Sequence, residues 1–161
     1  MARVILLCGR ICSGKTAYAR ALREKEPRLV VLSCDDLMLT LFPEGAGEHH
    51  DRLSRRARMY LFGLSLDLLR SGADVILDWG FWTRAWRDEA RDFYARHGVD
   101  CAMHCIDPSP EVWRRHIQAR NEAVRRGEET AYFVDEGLLA KLESLFEPPQ
   151  DDEIDLWYHP D

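Results

Sequence analysis

Apolar residues recur along this chain with two different periods. Short unbroken runs with β-branched members read as strands buried on both faces. They are residues 3–8 (RVILLC), 28–33 (RLVVLS), 73–80 (ADVILDWG) and 99–107 (VDCAMHCID), and a last short run is 154–159 (IDLWYH). Between them the spacing changes to that of helices. Residues 14–25 place Ala17, Ala21 and Leu22 at helical intervals. Residues 51–72 put Leu53, Ala57, Tyr60, Leu61, Leu64 and Leu68 on one face before Gly72 stops the helix. Residues 83–98 open on Thr83 as cap, line a face with Trp86, Ala90 and Phe93, and end at Gly98. Residues 109–127 open on Ser109 with Pro110 in the first turn. A further helix spans 135–146, and 147–153 (EPPQDDE) is a loop. The predicted order is β-α-β-α-β-α-β-α-α-β. Strands alternating with helices predict an α/β domain of three layers, α/β/α, around a mostly parallel five-stranded sheet.

The 161 residues contain no repeat or linker, so they form one domain, 1–161. Such a length buries about 70% of the unfolded chain's surface without needing disulfides. A net charge of −6 argues against coating long nucleic acid, though not against gripping one end of a strand. The five cysteines are odd in number and lack C-x-x-C spacing, which excludes a disulfide framework and a zinc site. A reducing, cytoplasmic setting is expected. No apolar run is long enough for a signal peptide or a membrane span.

Ligands of open α/β sheets bind beyond the carboxyl ends of the strands. Three polar clusters fall there. The first, GRICSGKT (residues 9–16), matches G-x-x-x-x-G-K-[ST], the P-loop. Its glycines let successive N–H groups turn inward, and the following helix offers its positive end to an anion. Lys15 reaches β- and γ-phosphates, and the Thr16 hydroxyl ligates Mg²⁺. The second cluster holds Asp35 and Asp36. A carboxylate there accepts the proton of an attacking hydroxyl, and Asp35 is assigned as base with Asp36 as cap or support. In the third, Asp78 holds the Mg²⁺ shell through water or positions the acceptor; capping or pairing with an arginine is its structural alternative.

Arg114, Arg115, Arg120, Arg125 and Arg126 lie on or just after one helix. Most belong to a solvated face, and Arg120 is the one assigned to the transferring phosphate, within a lid-like segment around 114–134. At least two of Trp79, Phe81 and Trp82 are expected in the core, with an aromatic face left to stack on an acceptor. His49, His50 and Asp51 read as a solvated loop rather than a metal site. Arg52, Arg55, Arg56 and Arg58 either meet an anionic acceptor or form the wet face of their helix.

With these motifs in place, nearly the whole chain resembles the small P-loop kinases. That group includes chloramphenicol phosphotransferase, the zeta-toxin kinases and the kinase domain of phage polynucleotide kinase, with small AAA-type ATP-binding proteins among them. The resemblance rests on GRICSGKT, SCDDL, ILDWGFWTRAWRDEAR, WRRHIQARN and FEPPQDDE. It implies the P-loop NTPase fold. It implies ATP phosphates and Mg²⁺ at Gly9, Arg10, Ile11, Cys12, Ser13, Gly14, Lys15 and Thr16. It also implies a general base at Asp35, an acid near the acceptor at Asp78, a substrate-side arginine at Arg87 and a lid arginine at Arg120. In polynucleotide kinases an arginine stands three residues after the catalytic aspartate; here Met38 does, which favours a less charged acceptor. The expected activity is ATP- and Mg²⁺-dependent phosphate transfer to a hydroxyl of a small molecule. A polynucleotide 5′-hydroxyl kinase and a non-catalytic ATP-binding module are the alternatives.

Overall fold

The computed structural model describes all residues, Met1–Asp161. Five strands, β1 (Val4–Cys8), β2 (Leu29–Ser33), β3 (Asp74–Gly80), β4 (Cys101–Ile106) and β5 (Leu156–Tyr158), pair in the order β2-β3-β1-β4-β5. Every pairing is parallel. Six helices connect them: α1 (Lys15–Lys25), α2 (Cys34–Leu41), α3 (His50–Arg70), α4 (Arg84–Arg96), α5 (Pro110–Arg125) and α6 (Glu136–Leu145). No helix is long and apolar enough to cross a membrane. All five cysteines are free.

β1 shows why its run has no polar alternation. Val4, Leu6 and Cys8 face one way, into a core shared with α2, α3 and α4. Ile5 and Leu7 face the other way and meet Ala19, Tyr18 and Leu22 of α1. A strand at the centre of a three-layer sandwich has no wet face, so both parities are apolar. The larger core closes on Tyr94, whose hydroxyl lies 2.7 Å from Ser65 Oγ, while Ser65 Oγ donates to the Phe62 carbonyl. Burial pushes the Tyr94 phenol far above its ordinary range, against the hydrogen bond to Ser65. Tyr94→Phe is expected to cost about 1 kcal/mol, seen as a lower urea midpoint with an unchanged slope.

The sequence expectation holds for all five strands and for α1, α3, α4, α5 and α6. It omitted α2 as a separate helix. Ser33 caps α2, its side chain accepting the Asp36 N–H at 3.1 Å, so neither aspartate is the cap. On α3 the core side runs through Leu61, Phe62, Ser65, Leu66 and Leu69, and Tyr60 is 66% exposed.

Two irregularities place the functional edge. The β1–β3 register shifts between Leu7, opposite Asp78, and Cys8, opposite Gly80. This slip of one residue is a bulge that re-aims side chains at the strand end. The chain then leaves β3 through Phe81, a buried residue held at φ +47.

Candidate functional site

Gly9 follows β1 directly, and its N–H donates to the Gly80 carbonyl at 3.0 Å. A Cβ on Gly9 would come 2.7 Å from both the Ile106 carbonyl and Ser13 Oγ. No side chain fits, so the loop wraps tightly into α1. Gly14 sits at φ +105 as the residue before α1, where Ser13 beside it is buried. α1 has no side-chain cap, so its first N–H groups are left to other partners.

Lys15 folds along the loop. Its Nζ donates to the carbonyls of Gly9 (3.0 Å) and Arg10 (2.6 Å) and lies 3.4 Å from Ser13 Oγ. Burial pulls the Lys15 pKa below its usual value, opposed by the charges of Asp78 and Asp35. Thr16 Oγ1 donates to Asp78 Oδ2 at 2.9 Å, joining the start of α1 to β3. Asp78 is 6% exposed. Burial raises its pKa, against Lys15 and the Thr16 hydrogen bond. Asp35, in the first turn of α2, is exposed. The surrounding protein nonetheless disfavours its charge and raises its pKa, with Lys15 and Arg120 acting in the opposite sense. One lysine thus acts on two acids from two different strand ends.

Arg120 comes from α5. Its Nη1 donates to Cys12 Sγ at 3.3 Å, and its Nε is buried without a partner. Arg10 lies with its guanidinium 4.5 Å from the Trp113 ring centre and 4.0 Å from Asp107. Ile11 and Cys12 turn their carbonyls towards α5, to Trp113 Nε1 at 2.7 Å and His116 Nδ1 at 3.1 Å. Asp78 and Arg120 are thus joined to the loop through Thr16 and Cys12, and the charges of Lys15 and Arg120 act on Asp35.

Arg87 does not join them. It is 1% exposed, and its guanidinium is spent on neighbours. Nε and Nη2 donate to Glu153 at 2.7 and 3.4 Å, and Nη1 donates to the carbonyls of Phe81 and Glu147 at 3.0 and 3.1 Å. The expectation of a substrate contact at Arg87 is corrected: it is a clamp that ties the β3 exit to residues 147–153.

Trp79 and Phe81 are buried, whereas Trp82 is half-buried and stacks on Trp86 at 6.4 Å and 15°. Arg58 caps that stack, 4.1 Å from the Trp86 ring centre, while Arg52, Arg55 and Arg56 are not drawn into it. No group of three or more His, Cys, Asp or Glu side chains is arranged to hold a metal ion.

Three contributors were missed from the sequence. Trp113 and His116 brace the loop from α5. Asn121 pins the segment after α5 with two hydrogen bonds to Val134, 2.7 and 2.8 Å. That segment carries Tyr132, whose phenol is pushed up first by burial and then by the charge of Asp35. The Tyr132 ring meets His50 edge-on at 6.2 Å. The signal for Trp113, His116 and Arg120 was their i, i+3, i+7 spacing, which puts all three on one face of α5.

The family described as AAA domain matches residues 4–149. No curated protein sequence shows significant similarity to the chain. Among solved structures, Kti12 of Chaetomium thermophilum in complex with ADP-AlF3 aligns with a TM-score of 0.73 and 17% identity, over 98% of this chain and 88% of that one. The APS kinase CysC of Mycobacterium tuberculosis, in complex with AMPPNP and APS, aligns with a TM-score of 0.67 and 22% identity, over 99% and 89%. A sugar kinase from Janibacter aligns with a TM-score of 0.64 and 18% identity, over 99% and 86%. At these identities the likeness is one of fold.

Proposed function

The chain belongs to the AAA domain family, and from that premise we propose that it is an ATP- and Mg²⁺-dependent phosphotransferase that moves the γ-phosphate to a hydroxyl of a small molecule. The observation that carries this reading is the phosphate loop itself, with Lys15 folded along its carbonyls and Thr16 Oγ1 joined to Asp78 Oδ2 at 2.9 Å. A cation beside the phosphate loop is flanked by two acids, one suited to the metal and one to the acceptor.

The residues fit the groups this reading requires. A cradle too narrow for any Cβ at Gly9 is suited to backbone N–H contacts with phosphate. Thr16 and Asp78 form a hard oxygen pair, 2.9 Å apart, of the kind Mg²⁺ prefers. Bound Mg²⁺ supplies charge neutralisation between phosphate oxygens. Lys15 holds the terminal phosphates, exchanging its contacts with loop carbonyls for contacts with anionic oxygen. Asp35 would orient the acceptor hydroxyl and take its proton as the new oxygen–phosphorus bond forms and the bond from the γ-phosphorus to the bridging oxygen breaks, ADP leaving with that oxygen, while Arg120 offsets the charge on the transferring group. The five free cysteines support a reducing, cytoplasmic setting. A small, weakly charged acceptor is favoured over a nucleic-acid end because position 38, where polynucleotide kinases carry an arginine, is Met38, packed in the core at 2% exposure.

The test is a screen with γ-labelled ATP against nucleosides, oligonucleotides, aminoglycosides, phenicols, sugars and cell metabolites. Label is expected on one hydroxyl compound, and Lys15→Ala is expected to lower kcat for it by about 10²–10³-fold. Tight ATP binding with no transfer to any acceptor would leave only a nucleotide-binding module.

A further inference from the structure

The phosphate loop contains a tight turn whose central peptide is set from outside. The Ser13 N–H donates to the Arg10 carbonyl at 3.2 Å, closing a four-residue turn. Cys12, its third residue, lies at φ +56, whereas Ile11, its second, is not in the positive region. That sign pattern is a type II turn, which favours glycine or asparagine in third place because a Cβ is strained there. The type I form of the same turn would relieve Cys12, and the two forms differ by a flip of the Ile11–Cys12 peptide.

In a trans peptide the carbonyl and the next N–H point in opposite directions. Whichever way Ile11 O faces, Cys12 N–H faces the other way. Ile11 O receives the indole N–H of buried Trp113 at 2.7 Å. Cys12 O lies 3.1 Å from His116 Nδ1, which carries the proton because a carbonyl can only accept. Both contacts come from α5, and both keep carbonyl oxygens on its side of the loop.

We propose that Trp113 and His116 are positioning residues for nucleotide binding. They select the peptide orientation in which the Ile11 and Cys12 carbonyls face α5 and the Cys12 N–H faces the phosphate cleft. This rests on the reading of the loop as a nucleotide site. It adds that a helix whose indole donor stands 102 residues beyond its acceptor determines whether the loop is in its binding form.

Trp113→Phe keeps an aromatic ring beneath Arg10 and removes the N–H together with one ring of the indole, a packing loss common to both backgrounds below. Titration calorimetry with Mg-ADP and no acceptor is expected to show about three- to tenfold weaker binding, the worth of one hydrogen bond. In a Cys12→Gly background, where the turn adopts positive φ without strain, the same change is expected to cost less than about twofold. An equal loss in both backgrounds, or no loss in either, overturns the inference. A second pair avoids the buried site: His116→Gln, which keeps a donor, is expected to bind ADP more tightly than His116→Ala, and equal affinities contradict the proposal. Wild-type protein that fails to bind ADP removes the nucleotide reading itself, whereas wild-type binding with indifferent variants removes only this inference.

Discussion

Replacing Asp35 by asparagine will lower phosphate transfer by about 10²–10⁴-fold, the range of a lost general base. Affinity for Mg-ATP will stay the same or tighten slightly, since a negative charge facing the phosphates is gone. The physical basis is placement. Ser33 caps α2 and leaves the Asp35 carboxylate free of capping duty, within the field of Lys15 and Arg120. Asparagine keeps the shape and a hydrogen-bond acceptor but cannot take a proton. The pH profile carries a second signature. Protein mass around the cleft raises the Asp35 pKa above the ordinary carboxylate value. Transfer should therefore fall as pH drops through that raised value, and the Asp35→Asn variant should lose this acid limb. Transfer at the wild-type rate by the variant would remove Asp35 as the base.

Arg87→Met will destabilise the protein by about 3–5 kcal/mol, because it takes from buried Glu153 its close cation and leaves only half-exposed Arg84, 3.8 Å away. For a chain of this length that is roughly a 6–20 °C fall in melting temperature. The Phe81 and Glu147 carbonyls also lose their donor. Adding Glu153→Leu should restore most of the loss, since removing both partners eliminates the stranded charge. Acid titration gives the same pair a sign. Burial alone pushes the Glu153 pKa up, but hydrogen bonds from Arg87 and the Gln150 N–H outweigh it, and the net shift is downward. The pair's stabilisation is present above the unfolded glutamate pKa and is lost as pH falls through the lowered folded value. Arg87→Met should lose that stabilisation and weaken the protein most at neutral pH. An Arg87 variant that melts like the wild type but loses acceptor affinity would return this residue to the substrate side.

The contrast between Asp35 and Arg87 shows what the sequence made legible. The P-loop is local: eight adjacent residues specify a strand exit, two glycines and a helix start, and the structure builds that arrangement. The strands were equally plain, because burial on both faces of β1 demands an unbroken apolar run. Asp35 and Asp78 could be placed because α/β topology sends every strand end to the same edge. Arg87 could not. Its spacing after β3 resembles a substrate arginine, and its partners Glu147 and Glu153 lie 60 and 66 residues on. α2 was hidden because its cap is a serine at the end of β2 and its eight residues are too few for a clear period. Tyr60 was placed with the apolar face of α3 on spacing alone, and only the packing of Leu61, Phe62 and Ser65 shows that the face is rotated away from it.

In the proposed enzyme Asp35 faces the phosphate loop across a gap sized for one phosphoryl group. A crystal structure with ADP, Mg²⁺ and aluminium fluoride tests it directly. The fluoride group is expected beside Lys15 and Arg120, with its outer apical ligand within about 3.5 Å of the Asp35 carboxylate, the separation of a near-attack arrangement. An apical ligand facing solvent or another side chain, with Asp35 turned out of the cleft, would contradict it.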